Sequence, residues 1–119
     1  MLTITTEYRW KASHFIPGHP TCGQMHPHDW EISATIRRKP GYGVLTMGMI
    51  HDFKEVFQWL AAVAKSCGDP INDVVALPTC ENLLVGWIVP RINDTLTDEL
   101  ELVSVRLWEN EKYSCEWTK

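Results

Sequence analysis

The sequence predicts an α+β fold in which one sheet of antiparallel strands is covered on one face by two helices. Three observations carry that prediction. Apolar and polar residues alternate with period two near both ends of the chain, the mark of half-buried strands. Between those stretches apolar residues recur at spacings of three and four, which is helical. Glycine and proline punctuate the joins. The chain has 119 residues, 45% hydrophobic and 22% charged. That is enough for one domain, residues 1–119, with an ordinary core, and it excludes disordered, collagen-like and coiled-coil classes.

In the first strand Leu2, Ile4, Tyr8, Trp10 and Ala12 take even positions, against Thr3, Thr5, Glu7, Arg9 and Lys11. In the second, Trp30, Ile32, Ala34 and Ile36 alternate with Asp29, Glu31, Ser33, Thr35 and Arg37. Pro40-Gly41-Tyr42-Gly43 is a turn, and a third strand is expected through Val44, Leu45 and Met47 to Ile50. The period then changes. Phe53, Val56, Phe57, Leu60, Ala61 and Ala64 define a helix, with Asp52 and Glu55 as a capping box and Gly68 as its stop. A second helix starts near Thr79 and runs through Leu83, Leu84, Trp87 and Ile88, where Pro90 is expected to kink or end it. Val103, Val105 and Leu107 share a face of the next strand, and Tyr113, Cys115 and Trp117 follow in the last, across a hairpin turn at Asn110-Glu111-Lys112. Strands adjacent in sequence pair antiparallel, and the open edges of so small a sheet favour a homo-oligomer. Six tryptophans suit either a core or subunit interfaces.

The chemistry concentrates between residues 10 and 30. His14 continues the even face of the first strand, and His26 and His28 continue that of the second. Residues two apart on a strand point the same way, so neighbouring strands would bring three imidazoles together. Three nitrogen ligands and an open fourth position suit catalytic zinc. Pro27 donates no ladder hydrogen bond, so this strand end is expected at an edge or unpaired. His19 and His51 read as polar surface. Cys22, in the loop before His26, could act as base or nucleophile beside a metal, or as a closing fourth ligand. Glu109 stands in phase with Val103, Val105 and Leu107 and needs a partner there, either a cationic or guanidine-like ligand or an arginine. Glu81 sits where helix starts favour acids.

Together these pieces resemble the 6-pyruvoyltetrahydropterin synthase and 6-carboxytetrahydropterin synthase family over nearly the whole chain. Trp10-Lys11-Ala12-Ser13-His14 is similar to the family's F-x-A-x-H, and Cys22-Gly23-Gln24-Met25-His26-Pro27-His28 to its C-x-x-x-H-G-H. Gly48 to Phe53 resembles G-x-x-x-D-F, Ile71-Asn72-Asp73 resembles L-N-D, and Pro78-Thr79-Cys80-Glu81-Asn82 resembles P-T-x-E-N. Val105 to Glu109 is similar to the strand that ends in the family's pterin-anchoring glutamate. The resemblance implies the tunnelling fold (T-fold), an antiparallel four-stranded sheet with two helices on one face, with sheets joined edge to edge into a trimeric barrel and two barrels stacked into a hexamer. It implies zinc on His14, His26 and His28. It further implies a dihydroneopterin triphosphate-like ligand gripped by Glu109 and lined by Thr79, Cys80 and Glu81, with Cys22 moving protons as the catalytic thiol.

Two departures stand against the family pattern. Where the family places an Asp-His couple behind its cysteine, in L-D-H-x-x-L-N, this chain has Cys67 and Gly68. Neither can relay a proton, so the usual lyase-type reaction is expected to be weak, altered or absent. Asp69 and His51 are the residues that could replace the couple. His-Pro-His in place of His-Gly-His narrows the backbone between two ligands. Two other expectations remain open: a pterin-binding protein that is not an enzyme, and a zinc-dependent hydrolase with a water nucleophile on the same three histidines. With a net charge of −4 no nucleic-acid partner is expected. No apolar run spans a membrane. With no secretory pattern in MLTITTEYRW and no regular cysteine spacing, a cytoplasmic location with reduced thiols is expected.

Overall fold

The two alternating stretches near the N-terminus form a long antiparallel hairpin, β1 (Ile4–His14) with β2 (His26–Arg38). A computed structural model describes residues 1–45 and 47–119. Its sheet has the order β1-β2-β3-β4, with β3 at Leu100–Trp108 and β4 at Ser114–Thr118. All pairings are antiparallel, as expected. One face of the sheet is wet and carries cross-strand pairs, Arg9 with Glu31 at 3.0 Å and Arg106 with Glu116 at 2.7 Å. The other buries Trp30, Ile32, Ile36, Val105 and Leu107 under the helices. Of the tryptophans Trp30 alone is fully buried, and its indole N–H donates to the Ala12 carbonyl at 3.1 Å.

Helix α1 (Phe53–Ser66) packs Val56, Leu60, Val63 and Ala64 on the sheet. Only half of the expected capping box forms. The Asp52 carboxylate accepts from the Lys54 N–H at 2.8 Å, while Glu55 turns to the His51 ring at 3.4 Å. Gly68 ends the helix with φ +80°, and a β-carbon there would lie 2.9 Å from Val74 Cγ2. A 3-10 turn follows at Ile71–Asp73.

The second helical stretch differs from expectation. Thr79 caps α2 (Cys80–Leu83) by accepting the Asn82 N–H at 3.1 Å, but the helix does not end at Pro90. A π-helical turn at Leu84–Ile88 intervenes, in which the Val89 N–H reaches back to the Leu84 carbonyl. The chain then runs on through Pro90 as α3 (Val89–Thr95). The widened turn takes up the proline, which lacks an N–H and would clash in a regular helix.

Two strand readings are corrected. The described residues between Val44 and Ile50 form no strand; Met47 is exposed in a turn, and Thr46 lies outside the described residues. Instead the Leu45 N–H donates to the Met49 carbonyl at 2.7 Å and the Gly48 N–H to the Leu45 carbonyl at 2.8 Å, a tight turn built on a left-handed Gly48. In β3, Val103 is not on the buried face. A bulge opposite Thr35 and Ile36 shifts the phase, so Leu100 and Leu102 are buried on one side of it and Val105 and Leu107 on the other. Among the described residues no helix is long and apolar enough to cross a membrane.

Candidate metal and ligand site

The strand register builds the site. His14 is the last residue of β1 and lies directly opposite His26, the first of β2, with Ala12 opposite His28. Side chains two apart share a face, so the three rings converge, with centroids 4.7 Å apart for His14 and His26, 5.0 Å for His14 and His28, and 4.7 Å for His26 and His28. β2 meets β3 only from Glu31 onward, so Pro27 has β1 on one side and no ladder on the other. Its missing N–H therefore leaves the β2–β3 ladder intact, in line with the sequence expectation.

Backbone carbonyls orient two of the rings. His14 Nδ1 lies 2.9 Å from the Pro78 carbonyl and His26 Nδ1 lies 2.6 Å from the Gln24 carbonyl. A carbonyl only accepts, so both Nδ1 atoms carry a proton, and in the neutral tautomer this sets, Nε2 is the free nitrogen. Metal-binding histidines are commonly fixed in this way. Glu109, just beyond β3, completes the cluster, with its Oε1 3.2 Å from His14 Nε2 and 3.4 Å from His28 Nε2. His14 Nε2 is buried and lacks an aligned hydrogen bond despite that proximity. A carboxylate oxygen facing imidazole lone pairs is electrostatically adverse unless a cation or protons lie among them, so the donor set fits a divalent metal such as zinc. Wherever His14 Nε2 carries a proton, its hydrogen bond to the carboxylate holds Glu109 below its ordinary range, against the opposing effect of burial. Burial pushes the His28 imidazole down, and the nearby Glu109 charge partly offsets this.

The other sequence candidates lie around this centre. Thr79, Cys80 and Glu81 form the start of α2, one residue beyond the carbonyl that orients His14. Glu81 is exposed, while Cys80 is half-buried against β3 and β4. Cys22 sits in the β1–β2 loop, outside the four-residue cluster, and Glu109 is the fourth group there. The Cys22 thiol has Thr21 Oγ1 at 3.7 Å. His19 is exposed polar surface, as expected, and its Nδ1 also accepts the backbone N–H groups of Thr21 at 3.2 Å and Cys22 at 2.9 Å, which shapes the loop. Gly23 packs against the His19 carbonyl where a β-carbon would lie at 2.6 Å.

Of the two residues suggested as replacements for the Asp-His couple, Asp69 is at this end of the sheet, where its carboxylate accepts the Ser13 N–H at 2.9 Å. His51 is not. It follows Ile50, whose carbonyl accepts from Arg38 at the opposite end of β2, and its ring packs on Trp59 at 4.8 Å. Asn72 had no physical role assigned from sequence. Its side chain clamps Phe15, accepting the Phe15 N–H at 2.9 Å and donating to the Phe15 carbonyl at 2.9 Å, which fixes the residue after His14. No periodicity marks such a clamp; its only sign was the Ile71-Asn72-Asp73 motif.

Comparison with known proteins agrees with this geometry. The sequence model of a family described as 6-pyruvoyl tetrahydropterin synthase matches residues 3–119. The chain is 32% identical over 113 residues to an Archaeoglobus fulgidus protein named "Putative 6-carboxy-5,6,7,8-tetrahydropterin synthase", covering 93% of this chain and 89% of that one. It is 24% identical over 94 residues to the dihydroneopterin monophosphate aldolase of Pyrococcus furiosus, covering 78% and 77%. The fold matches the solved structure of the Caenorhabditis elegans 6-pyruvoyl tetrahydropterin synthase with a TM-score of 0.76 at 14% identity, over 99% of this chain and 95% of that chain.

Proposed function

The chain belongs to the 6-pyruvoyl tetrahydropterin synthase family, and from that premise we propose that it binds a pterin-like ligand beside a zinc ion held by His14, His26 and His28. One observation carries the reading: the buried, unbonded Nε2 of His14 faces the Glu109 carboxylate among three imidazoles, of which His14 and His26 turn their Nδ1 protons outward to carbonyls. When bound, zinc would polarise the hydroxyls of the ligand's side chain. The protein's own groups supply the rest. Glu109 would accept the N–H edge of the guanidine-like pterin ring, and Thr79, Cys80 and Glu81 would border it. Cys22 would exchange protons with the side chain.

That last role lacks support behind the thiol. Cys67 is fully buried, and burial pushes its thiol up to about 12, so it does not take up protons at neutral pH. Gly68 has no side chain to offer. We therefore infer little turnover of dihydroneopterin triphosphate to a 6-pyruvoyl or 6-carboxy product. General acid–base help typically contributes about 10²–10⁴-fold, and its loss sets the size of the deficit. Altered side-chain chemistry on a related pterin is the enzymatic form of this reading, and the Pyrococcus relative is named for such a different reaction. The active unit would be a homo-oligomer, a hexamer of two trimers, working in the cytoplasm.

The test pairs elemental analysis with calorimetry on a panel of pterins. One zinc per chain, lost in a His26→Ala, His28→Ala double variant, and binding of a pterin support the reading. Retained metal in the double variant would place the ligands elsewhere. A product assay with dihydroneopterin triphosphate decides the chemistry: efficient turnover that Cys22→Ala abolishes would overturn the inferred deficit. A zinc-dependent hydrolase is the second reading, because such an enzyme needs a base at the metal and Glu109 stands there. Turnover of ester or amide substrates with no pterin binding would favour it.

A further inference from the structure

We propose that Cys80 and Cys115 form a reactive dithiol, a site of covalent modification that closes to a disulfide by exchange with a low-molecular-weight disulfide such as oxidised glutathione. Neither residue belongs to the histidine cluster. Cys80 opens α2 and Cys115 lies on β4 opposite Leu107 of β3. Their sulfurs are 3.1 Å apart, and Cys80 Sγ also lies 3.3 Å from the Leu107 carbonyl. In the neutral pair the hydrogen bonds run from Cys115 to Cys80 and from Cys80 to the Leu107 oxygen. A disulfide needs its sulfurs at about 2.05 Å, so an approach of roughly 1 Å closes the bond. Both residues are half-buried, within reach of a small reagent, whereas Cys67 is sealed in the core.

The geometry assigns an order to the two thiols. Cys115 is the attacking sulfur, because Cys80 Sγ lies beside the Leu107 carbonyl, which only accepts and so keeps a proton on Cys80, and that proton can turn to the Cys115 sulfur 3.1 Å away; contact with Cys115 and burial push the Cys80 thiol up in the same sense. Cys115 attacks one sulfur of the small disulfide and expels one small thiolate, which leaves a mixed disulfide on Cys115. Cys80 then passes its proton to the departing thiolate and attacks the Cys115 sulfur, expelling the second small thiol. The protein loses two hydrogen atoms and two electrons, and the small disulfide gains both as two thiols. The product ties the first turn of α2, and with it Thr79 and Glu81, to the last strand.

The test uses the whole folded chain, incubated with oxidised glutathione, then denatured, alkylated and mapped by mass spectrometry without reduction. The expected result is a peptide pair joined through Cys80 and Cys115, a mass lower by two hydrogens than the reduced chain, and reversal by dithiothreitol. In Cys80→Ser a glutathione adduct should persist on Cys115, because nothing resolves it. In Cys115→Ser residue 80 should remain alkylatable. Full alkylation of Cys80 and Cys115 in the wild-type chain, or a link to Cys22 or Cys67, would overturn the proposal. An adduct on Cys80 in Cys115→Ser would overturn the order of attack. None of these readings depends on pterin or zinc, so the pair can fail while the proposed function stands, and the reverse.

Discussion

Glu109 is the residue on which the proposed ligand chemistry turns. It stands between two imidazoles and is partly open to solvent, so it could hold a ligand's cationic edge or a metal. Charge-assisted hydrogen bonds contribute about 1.5–3 kcal/mol. Glu109→Gln keeps the shape and removes the charge, and calorimetry should show pterin affinity about tenfold lower or worse, at unchanged zinc content. Equal affinity in both proteins would remove Glu109 as the anchor, and loss of zinc would make it a metal ligand. Asn72 acts one step away. Asn72→Ala leaves the Phe15 backbone groups without their partners, and an unsatisfied buried polar group costs about 1–3 kcal/mol. Urea unfolding should show a loss of that order, with weaker zinc retention because the end of β1 is freed. The histidines were legible from sequence because a strand's period of two fixes their direction. The Asn72 clamp and the Pro78 carbonyl were not, because a hydrogen bond from a loop to a strand leaves no periodic trace.

Among the elements, α1 and the β1–β2 hairpin follow the sequence pattern closely, since each buries one face and its period is uninterrupted. The errors fall where local backbone geometry overrides pattern. Val44 to Ile50 is apolar enough for a strand, yet glycines at 41, 43 and 48 take positive φ and fold it into turns. Val103 looked in phase until the β-bulge removed one residue from the count. Pro90 reads as a kink or a stop, and the π turn before it lets the helical path run on. The end of α1 gives a test. Gly68 has φ +80° and faces Val74 Cγ2 at 2.9 Å, and a left-handed non-glycine residue costs about 1–2 kcal/mol before any clash. Gly68→Ala should therefore lower the free energy of unfolding by at least that amount, seen as an earlier denaturation midpoint, and an unchanged midpoint would show that the turn relaxes freely. The same strain predicts that restoring histidine at position 68 costs stability. Recovering an Asp-His couple here needs a different end to α1 as well as two new side chains.

In the whole molecule, β1 and β4 are both edge strands with unpaired backbone groups along one side. An edge this long invites pairing with another chain. Sedimentation should find an assembly well above the 13.7 kDa of one chain; a stable monomer at micromolar concentration would contradict the proposed oligomer. Metal should also count toward global stability. A ligand that binds only the folded state contributes about 2.7 kcal/mol at a hundred times its dissociation constant. Chelation should accordingly lower the melting temperature of the wild-type chain and leave that of the His26→Ala, His28→Ala variant unmoved.

The hydrogen bond from His14 to the Pro78 carbonyl joins residues 64 positions apart, and Glu109 lies further along again. The four groups of the cluster, with the carbonyl that aims one of them, are thus drawn from the first strand, the second, the start of a helix and the end of the third strand. A growing chain that has made only its first hairpin holds the three imidazoles but neither the carbonyl that sets one tautomer nor the carboxylate that attracts a cation. With zinc held as proposed, the site would work as a coincidence detector for completed folding. Its affinity should climb steeply only once the C-terminal half has docked, so the cell's zinc would be withheld from truncated or half-folded chains and committed to finished ones.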